Sequence, residues 1–218
     1  MSARDRILAR LRAAPVIPAP VPVAGCFEAP AAADALVRQF TEAMTAAHAE
    51  VHLTDHDAWP GLLLRLAGEK KLGRLLIGER TAHGRRLQAL NPDSPRLQVY
   101  DRPASAWKAE LFDAVDAGFT TARCAIAETG SLVLWPDRAE PRLLSLVPPI
   151  HFVLVDVATL RPSLGSVMAA EGWSQGLPTN VLLISGPSKT ADIQQTMAYG
   201  AHGPRELIVL LVCQESQA

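Results

Sequence analysis

At 218 residues and 23.4 kDa the chain has room for one ordinary domain with a short appendage, and hardly for two independent cores. Lys and Arg number 21 against 22 Asp and Glu, so the formal charge of −1 lacks the basic excess of a nucleic-acid or membrane-surface binder, while 49% hydrophobic residues exclude global disorder. No apolar run approaches the ~20 residues of a membrane helix, and Cys26, Cys124 and Cys213 are scattered without a C-x-x-C pair, against a disulfide framework, zinc site or iron–sulfur ligation in the chain and in keeping with a reducing cytoplasm.

Ser2 and Asp5 have the spacing of a capping box, which predicts a helix over Ala3–Ala13 that buries Ile7, Leu8 and Leu11. No apolar stretch with a small-residue cleavage site follows it, so secretion is not expected. Pro15, Pro18, Pro20, Pro22 and Pro30 then deny hydrogen bonds to helix and sheet alike. Residues 1–30 read as a helical arm and linker, laid on the domain or on a second subunit in a homo-oligomer, and 31–218 as the domain. There, helical periodicity alternates with short β-branched or leucine runs: helix Ala31–His48, strand Glu50–Thr54, helix Ala58–Gly68, strand Arg74–Gly78, helix Thr81–Leu90, strand Arg96–Asp101 and helix Ser105–Val115. That alternation specifies βαβ crossovers and an α/β fold with a mostly parallel sheet. It breaks at Phe119–Ala127 and Ser131–Trp135, two strand-like runs joined by Glu128-Thr129-Gly130 as in a hairpin or bulged turn. Strand Phe152–Val157, helix Ala158–Ala170, strand Asn180–Ser185, helix Ala191–Tyr199 and strand Leu207–Cys213 complete the pattern.

Ligands in open α/β sheets sit beyond the carboxyl ends of the strands, which directs attention to the residues that follow them. Ser185-Gly186-Pro187-Ser188-Lys189-Thr190-Ala191-Asp192 joins a strand to a predicted helix, so free amides at the helix start, with Ser185, Ser188, Lys189 and Thr190, form an anion cradle. The same residues equally suit an ordinary N-cap with Asp192 in the first turn. The Walker A glycines are missing, which argues against nucleotide hydrolysis. Gly200-Ala201-His202-Gly203-Pro204-Arg205 presents His202 from a constrained turn beside Arg205, either as a base next to a carboxylate-binding arginine or as a hydrogen-bonding buttress. Glu128 interrupts apolar sheet sequence; a buried carboxylate there needs a partner such as Arg142, and acts as acid, base, nucleophile or acceptor of turn amides. His151, after Pro148-Pro149-Ile150, is a further candidate or a capping imidazole.

Two patterns are set aside. Gly172-Trp173-Ser174-Gln175-Gly176 matches G-x-S-x-G but follows a predicted helix, not the strand that a nucleophile elbow requires. His48, His52 and His56 recur every four residues, yet Val51 and Leu53 alternate with His52 as in a strand, which breaks a common metal-binding face.

As an ordered set, Ala127-Glu128-Thr129-Gly130-Ser131, Arg142 with Pro148-Pro149-Ile150-His151, Ile184 through Ile193 and Gly200-Ala201-His202-Gly203-Pro204-Arg205 resemble the LUD-domain family. Lys189 stands where many relatives have arginine, keeping the charge without the planar fork. The resemblance implies a Rossmann-like fold of the NagB/RpiA/CoA-transferase type with helices on both faces, and a part in oxidising L-lactate to pyruvate with iron–sulfur partner proteins, this chain being the cluster-free subunit. No cofactor motif is present in the chain itself. On this reading Ser185, Gly186, Ser188, Lys189, Thr190 and Asp192, together with Thr129, Gly130, Arg142, Gly203 and Arg205, bind a small anionic ligand, and His202 takes a hydroxyl proton. Glu128-Thr129-Gly130 also resembles the turn that carries the nucleophilic glutamate of CoA transferases, which implies acyl transfer through Glu128 as an alternative. A non-catalytic assembly subunit is a third.

Overall fold

The computed structural model describes residues 2–13, 32–90, 93–191, 197–200 and 202–213. Helix α1 (Ala3–Ala13) begins at the expected capping box: the Asp5 amide donates to Ser2 Oγ at 3.2 Å and the Ser2 amide to Asp5 Oδ2 at 2.9 Å. Ile7 is 59% exposed, however, so the burial expected of it does not occur against this chain. The Pro-rich linker and the side chain of Leu11 lie outside what is described.

The domain alternates as its hydrophobic pattern requires: α2 (Ala33–Ala46), β1 (Glu50–Asp55), α3 (Trp59–Glu69), β2 (Arg74–Gly78), α4 (Ala82–Ala89), β3 (Arg96–Tyr100), α5 (Lys108–Asp113) and β4 (Ala117–Thr121). Thr81 caps α4 by accepting from the Gly84 amide at 2.9 Å. With β7 (Ile150–Asp156) and β12 (Glu206–Cys213), these strands form a six-stranded sheet in the order β1-β12-β7-β4-β2-β3, and every neighbouring pair is parallel. The expected α/β architecture is present. Leu207 to Val212 of β12 are all buried because a central parallel strand is covered on both faces.

Successive side chains divide between those faces. On one, Trp59 and Leu63 of α3 and Leu87 of α4 pack on Leu75, Ile77, Phe119, Phe152, Leu154, Ile208 and Leu210, with Trp59 stacked on Phe119 at 5.5 Å. The opposite face is covered in two parts. Leu111 of α5 and Leu144 of α6 (Leu143–Leu146) lie with Leu76, and Phe40 and Met44 of α2 lie with Val153, Val155, Val209 and Leu211.

A second sheet shares that opposite face. Its strands are β5 (Cys124–Ile126), β6 (Ser131–Leu134), β8 (Leu160–Arg161) and β9 (Leu182–Ile184), in the order β8-β5-β6-β9. The hairpin expected around Glu128-Thr129-Gly130 is there, joining β5 to β6 with Gly130 at φ +56°. Other expectations give way. The single run Phe119–Ala127 breaks after Thr121, so that its first half serves the main sheet and its second half the small one. Ala158–Ala170 is not one helix: Leu160–Arg161 pairs with β5, Pro162 follows, and α7 (Leu164–Ala170) starts afresh at its Ser163 cap. The strand expected over Asn180–Ser185 is shorter, as β9, and runs antiparallel to β6.

The helix expected over Ala191–Tyr199 is replaced by a hairpin of β10 (Lys189–Ala191) and β11 (Met197–Tyr199). The reason is geometric. The Gly200 amide donates to the Ser188 carbonyl at 2.9 Å and the Ser188 amide to the Pro204 carbonyl at 2.8 Å, so the segment leaves and returns at one point. The nine residues of the expected helix would span about 13 Å at 1.5 Å per residue and carry those ends apart.

Gly118, on β4, has no room for a side chain: a Cβ would fall far inside contact with the Leu144 carbonyl oxygen and 3.1 Å from its carbon. Gly61, on α3, has open space around it. Gly118→Ala is expected to cost about 3 kcal/mol through overpacking, and Gly61→Ala to add roughly 0.5–1 kcal/mol through helix propensity. Urea unfolding of both variants checks this pair; equal midpoints would refute the close seating of α6.

Candidate functional site

Two close backbone contacts assemble the site from the small sheet. A Cβ at Gly130 would lie 2.8 Å from Ala43 Cβ, and one at Gly186, where φ is +136°, would lie 3.0 Å from Ala47 Cβ. Both turns therefore seat against the last turn of α2. Their side chains join in a hydroxyl chain, Thr129 Oγ1 to Ser131 Oγ at 2.7 Å and Ser131 Oγ to Ser185 Oγ at 2.6 Å. Ser131 is buried between exposed Thr129 and exposed Ser185, so the chain passes beneath the surface from one turn to the other.

Beyond Ser185 lies a cavity of about 180 Å³ between the two sheets. Ser185, Gly186, Ser188, His202 and Gly203 line it, so five of the residues predicted from two separate sequence segments meet at one place. Its remaining polar groups are Ser145 of α6 and His151 of β7. The cavity stands at the amino ends of β7 and β12, where His151 and Leu207 are in register, and not beyond the carboxyl ends that the general rule for such sheets favours.

His151 is 1% exposed, with Nε2 2.8 Å from Thr120 Oγ1. Its Nδ1 is buried and has no hydrogen-bond partner among the described residues. Burial lowers the imidazole pKa to about 3, which keeps the ring neutral. Ser145 Oγ donates to the Arg142 carbonyl at 2.9 Å. His151 was legible in the sequence as a candidate or a capping imidazole, while Ser145 and Thr120 were missed. The available signal for Thr120 was a hydroxyl directly after the apolar Ala117-Gly118-Phe119 of a strand.

The charged candidates are placed elsewhere. Glu128 is exposed at the tip of the β5–β6 turn, not buried, and no ion pair joins it to Arg142 among the described residues. Its amide, not its carboxylate, is engaged, donating to the Pro162 carbonyl at 3.1 Å. Arg142 is exposed and borders a small neighbouring hollow with Thr120 and Glu140. Lys189 and Arg205 are exposed and do not line the cavity; Arg205 Nε lies 3.8 Å from Glu206. With a hairpin in place of the helix, the helix-start amides expected near Thr190 are not formed. Asp192 lies outside the described residues. The cavity therefore meets a ligand with hydroxyls and imidazoles, not with the cluster of cations expected from the sequence.

Of the patterns set aside, Ser174 sits in a 3-10 turn after α7, and His48, His52 and His56 occupy a helix end, a strand and a turn. No helix among the described residues is long and apolar enough to cross a membrane.

Comparison with known proteins matches residues 37–212 to the LUD domain. An uncharacterised protein of Neisseria meningitidis serogroup B is 39% identical over 227 residues, covering 97% of this chain and 94% of that protein. Lactate utilization protein C of Halalkalibacterium halodurans is 31% identical over 123 residues, 54% of this chain and 53% of that protein, and its counterpart in Exiguobacterium sp. is 30% identical over 68% of this chain and 66% of that protein. The match to the former thus spans about half of its length. Among solved structures, a DUF162 family protein from Deinococcus radiodurans has a TM-score of 0.58 at 22% identity, covering 84% of this chain and 99% of that one, which bears on the fold alone.

A histidine held neutral in the fold but free to protonate when unfolded lowers stability as pH falls below its unfolded value near 6.5, until the folded pKa of about 3 is reached. Within that window His151 contributes a slope of about 1.4 kcal/mol per pH unit. Urea unfolding between pH 6.5 and 4 is expected to show this slope reduced by that amount in His151→Gln; parallel curves for the two proteins would contradict a neutral buried His151.

Proposed function

The chain belongs to the LUD domain family, and on that footing we propose that it is the cluster-free subunit of a lactate utilization system, taking part in the oxidation of L-lactate to pyruvate. The names of the relatives in Halalkalibacterium and Exiguobacterium support the pathway. The observation that carries the site is the meeting of Ser185, Ser188 and His202 with buried His151 around one small cavity. A three-carbon hydroxy acid suits its size, with the serine hydroxyls and the loop amides of Gly186 and Gly203 holding the carboxylate in place of the absent cations. His202, exposed at the cavity, is the group positioned to accept the hydroxyl proton, and an imidazole can do so near neutral pH. His151, neutral and bonded to Thr120, fixes the floor. The cysteines are too scattered to hold a cluster in this chain, so the electrons pass to iron–sulfur partner proteins.

Calorimetric titration of the purified chain with L-lactate and with pyruvate tests the site. Saturable binding is expected, weakened at least tenfold, or about 1.4 kcal/mol, by His202→Ala and by Ser188→Ala. Arg142→Ala and Glu128→Gln, whose side chains do not line the cavity, should bind as the native chain does. Absence of binding at millimolar ligand, or four variants that bind alike, would sink the assignment.

A further inference from the structure

β2 and β4 are neighbours in the main sheet, yet the chain leaves them toward opposite faces: from β2 it turns into α4, beside α3, and from β4 it turns into β5 of the small sheet. Such a divergence opens a crevice beyond the carboxyl ends of the strands. Here the crevice is a cleft of about 630 Å³, within the size range of cofactor sites, and none of the residues singled out from the sequence lies in it.

Its walls carry Arg123, Asp137 and Glu140, of which Arg123 and Glu140 are each held in place with bonding capacity left over. Glu140 Oε2 accepts from the Thr121 amide and hydroxyl, both at 2.9 Å, while Oε1 makes no hydrogen bond among the described residues. The loop that bears Glu140 is itself fixed, because Asp137 Oδ1 accepts from the amides of Ala139 at 2.7 Å and Glu140 at 2.8 Å. It also lies directly on the end of β2, where a Cβ at Gly78 would be 2.9 Å from Glu140 Cγ. Across the same cleft, Arg123 Nε is bound to Glu171 Oε2 at 2.7 Å and its guanidinium lies over the Trp135 ring at 5.0 Å. The two terminal nitrogens of Arg123 have no partner among the described residues. The acceptor and the fork of donors line one cleft together with apolar surface from Trp135, Pro136 and Pro178.

We propose that this cleft is a second binding site, separate from the hydroxyl-lined cavity, for a mononucleotide. Adjacent ligand hydroxyls donate to Glu140, the single phosphate is held by the terminal nitrogens of Arg123, and the ring packs on the apolar wall. Glu140 and Asp137, with the Glu171 carboxylate already on Arg123, oppose a polyphosphate, since one guanidinium cannot neutralise several added charges beside three carboxylates. Burial pushes the Glu140 carboxyl up despite its bonds from Thr121, which strengthens its tendency to share a proton with a hydroxyl. The assignment does not depend on which ligand the smaller cavity takes.

The test is calorimetric titration of the full chain with adenosine 5′-monophosphate, nicotinamide mononucleotide and flavin mononucleotide, which share the hydroxyls and phosphate and differ in the ring. At least one is expected to bind saturably. For that ligand, Arg123→Gln should weaken binding at least tenfold while leaving the dephosphorylated nucleoside unaffected. Glu140→Gln, which keeps the acceptor for Thr121, should weaken the nucleotide at least threefold but not its analogue lacking the adjacent hydroxyls. Ser188→Ala, in the other cavity, should change nothing. Failure of all three nucleotides at millimolar concentration, equal binding by the Arg123 and Glu140 variants with native circular dichroism, or loss of binding in Ser188→Ala would each overturn the proposal.

Discussion

The seating of α6 on β4 at Gly118 is the contact on which both cavities depend. Because residue 118 has no side chain, the Leu144 carbonyl rests against the sheet backbone, and the next residue, Ser145, is delivered to the hydroxyl-lined cavity beside His151. The chain entering α6 must then cross the ends of β2 and β4, which brings Glu140 against Thr121 and over Gly78. One missing methyl group therefore sets the depth of the smaller cavity and the wall of the larger cleft.

Desolvation decides what kind of polar group occupies each place. The smaller cavity lies between two sheets, where an unpaired charge would cost several kcal/mol, and the groups found there are neutral: serine hydroxyls in a chain and an imidazole that burial holds uncharged. Formal charges remain outside, on Glu128, Arg142, Lys189 and Arg205, all of them exposed. In the larger cleft the charges have partners, exposed Arg123 in Glu171 and the Trp135 ring, and half-buried Glu140 in two donors from Thr121. A neutral interior and a charged cleft favour different ligands, so one small domain can present two recognition surfaces without interference.

Much of the architecture was legible in the residues. Alternating helical and strand-like periodicity located the parallel sheet, since a strand such as Leu207–Val212 buried on both faces has to be apolar throughout, and the Ser2–Asp5 and Gly130 signals placed a helix start and a turn through local sterics alone. Ser185, Ser188, His202 and Gly203 were legible as members of two motifs, but their meeting at the amino ends of β7 and β12, without the expected cations, was not. Nor was the hairpin over 189–199, because its residues have good helical propensity and only the clamps from Gly200 and Pro204 onto Ser188 oppose it.

Sequence by itself determined which segments are apolar on one face or two, where helices can start, and which short motifs carry hydroxyls and imidazoles, because these follow from covalent geometry and nearest-neighbour chemistry. Tertiary structure alone decided that Glu128 is exposed and away from Arg142, that Thr120 meets a buried histidine, and that the carboxyl ends of β2 and β4 part around Glu140 and Arg123. Those outcomes rest on contacts between residues far apart in the chain, and on the balance between desolvation and pairing at each, which no local pattern encodes.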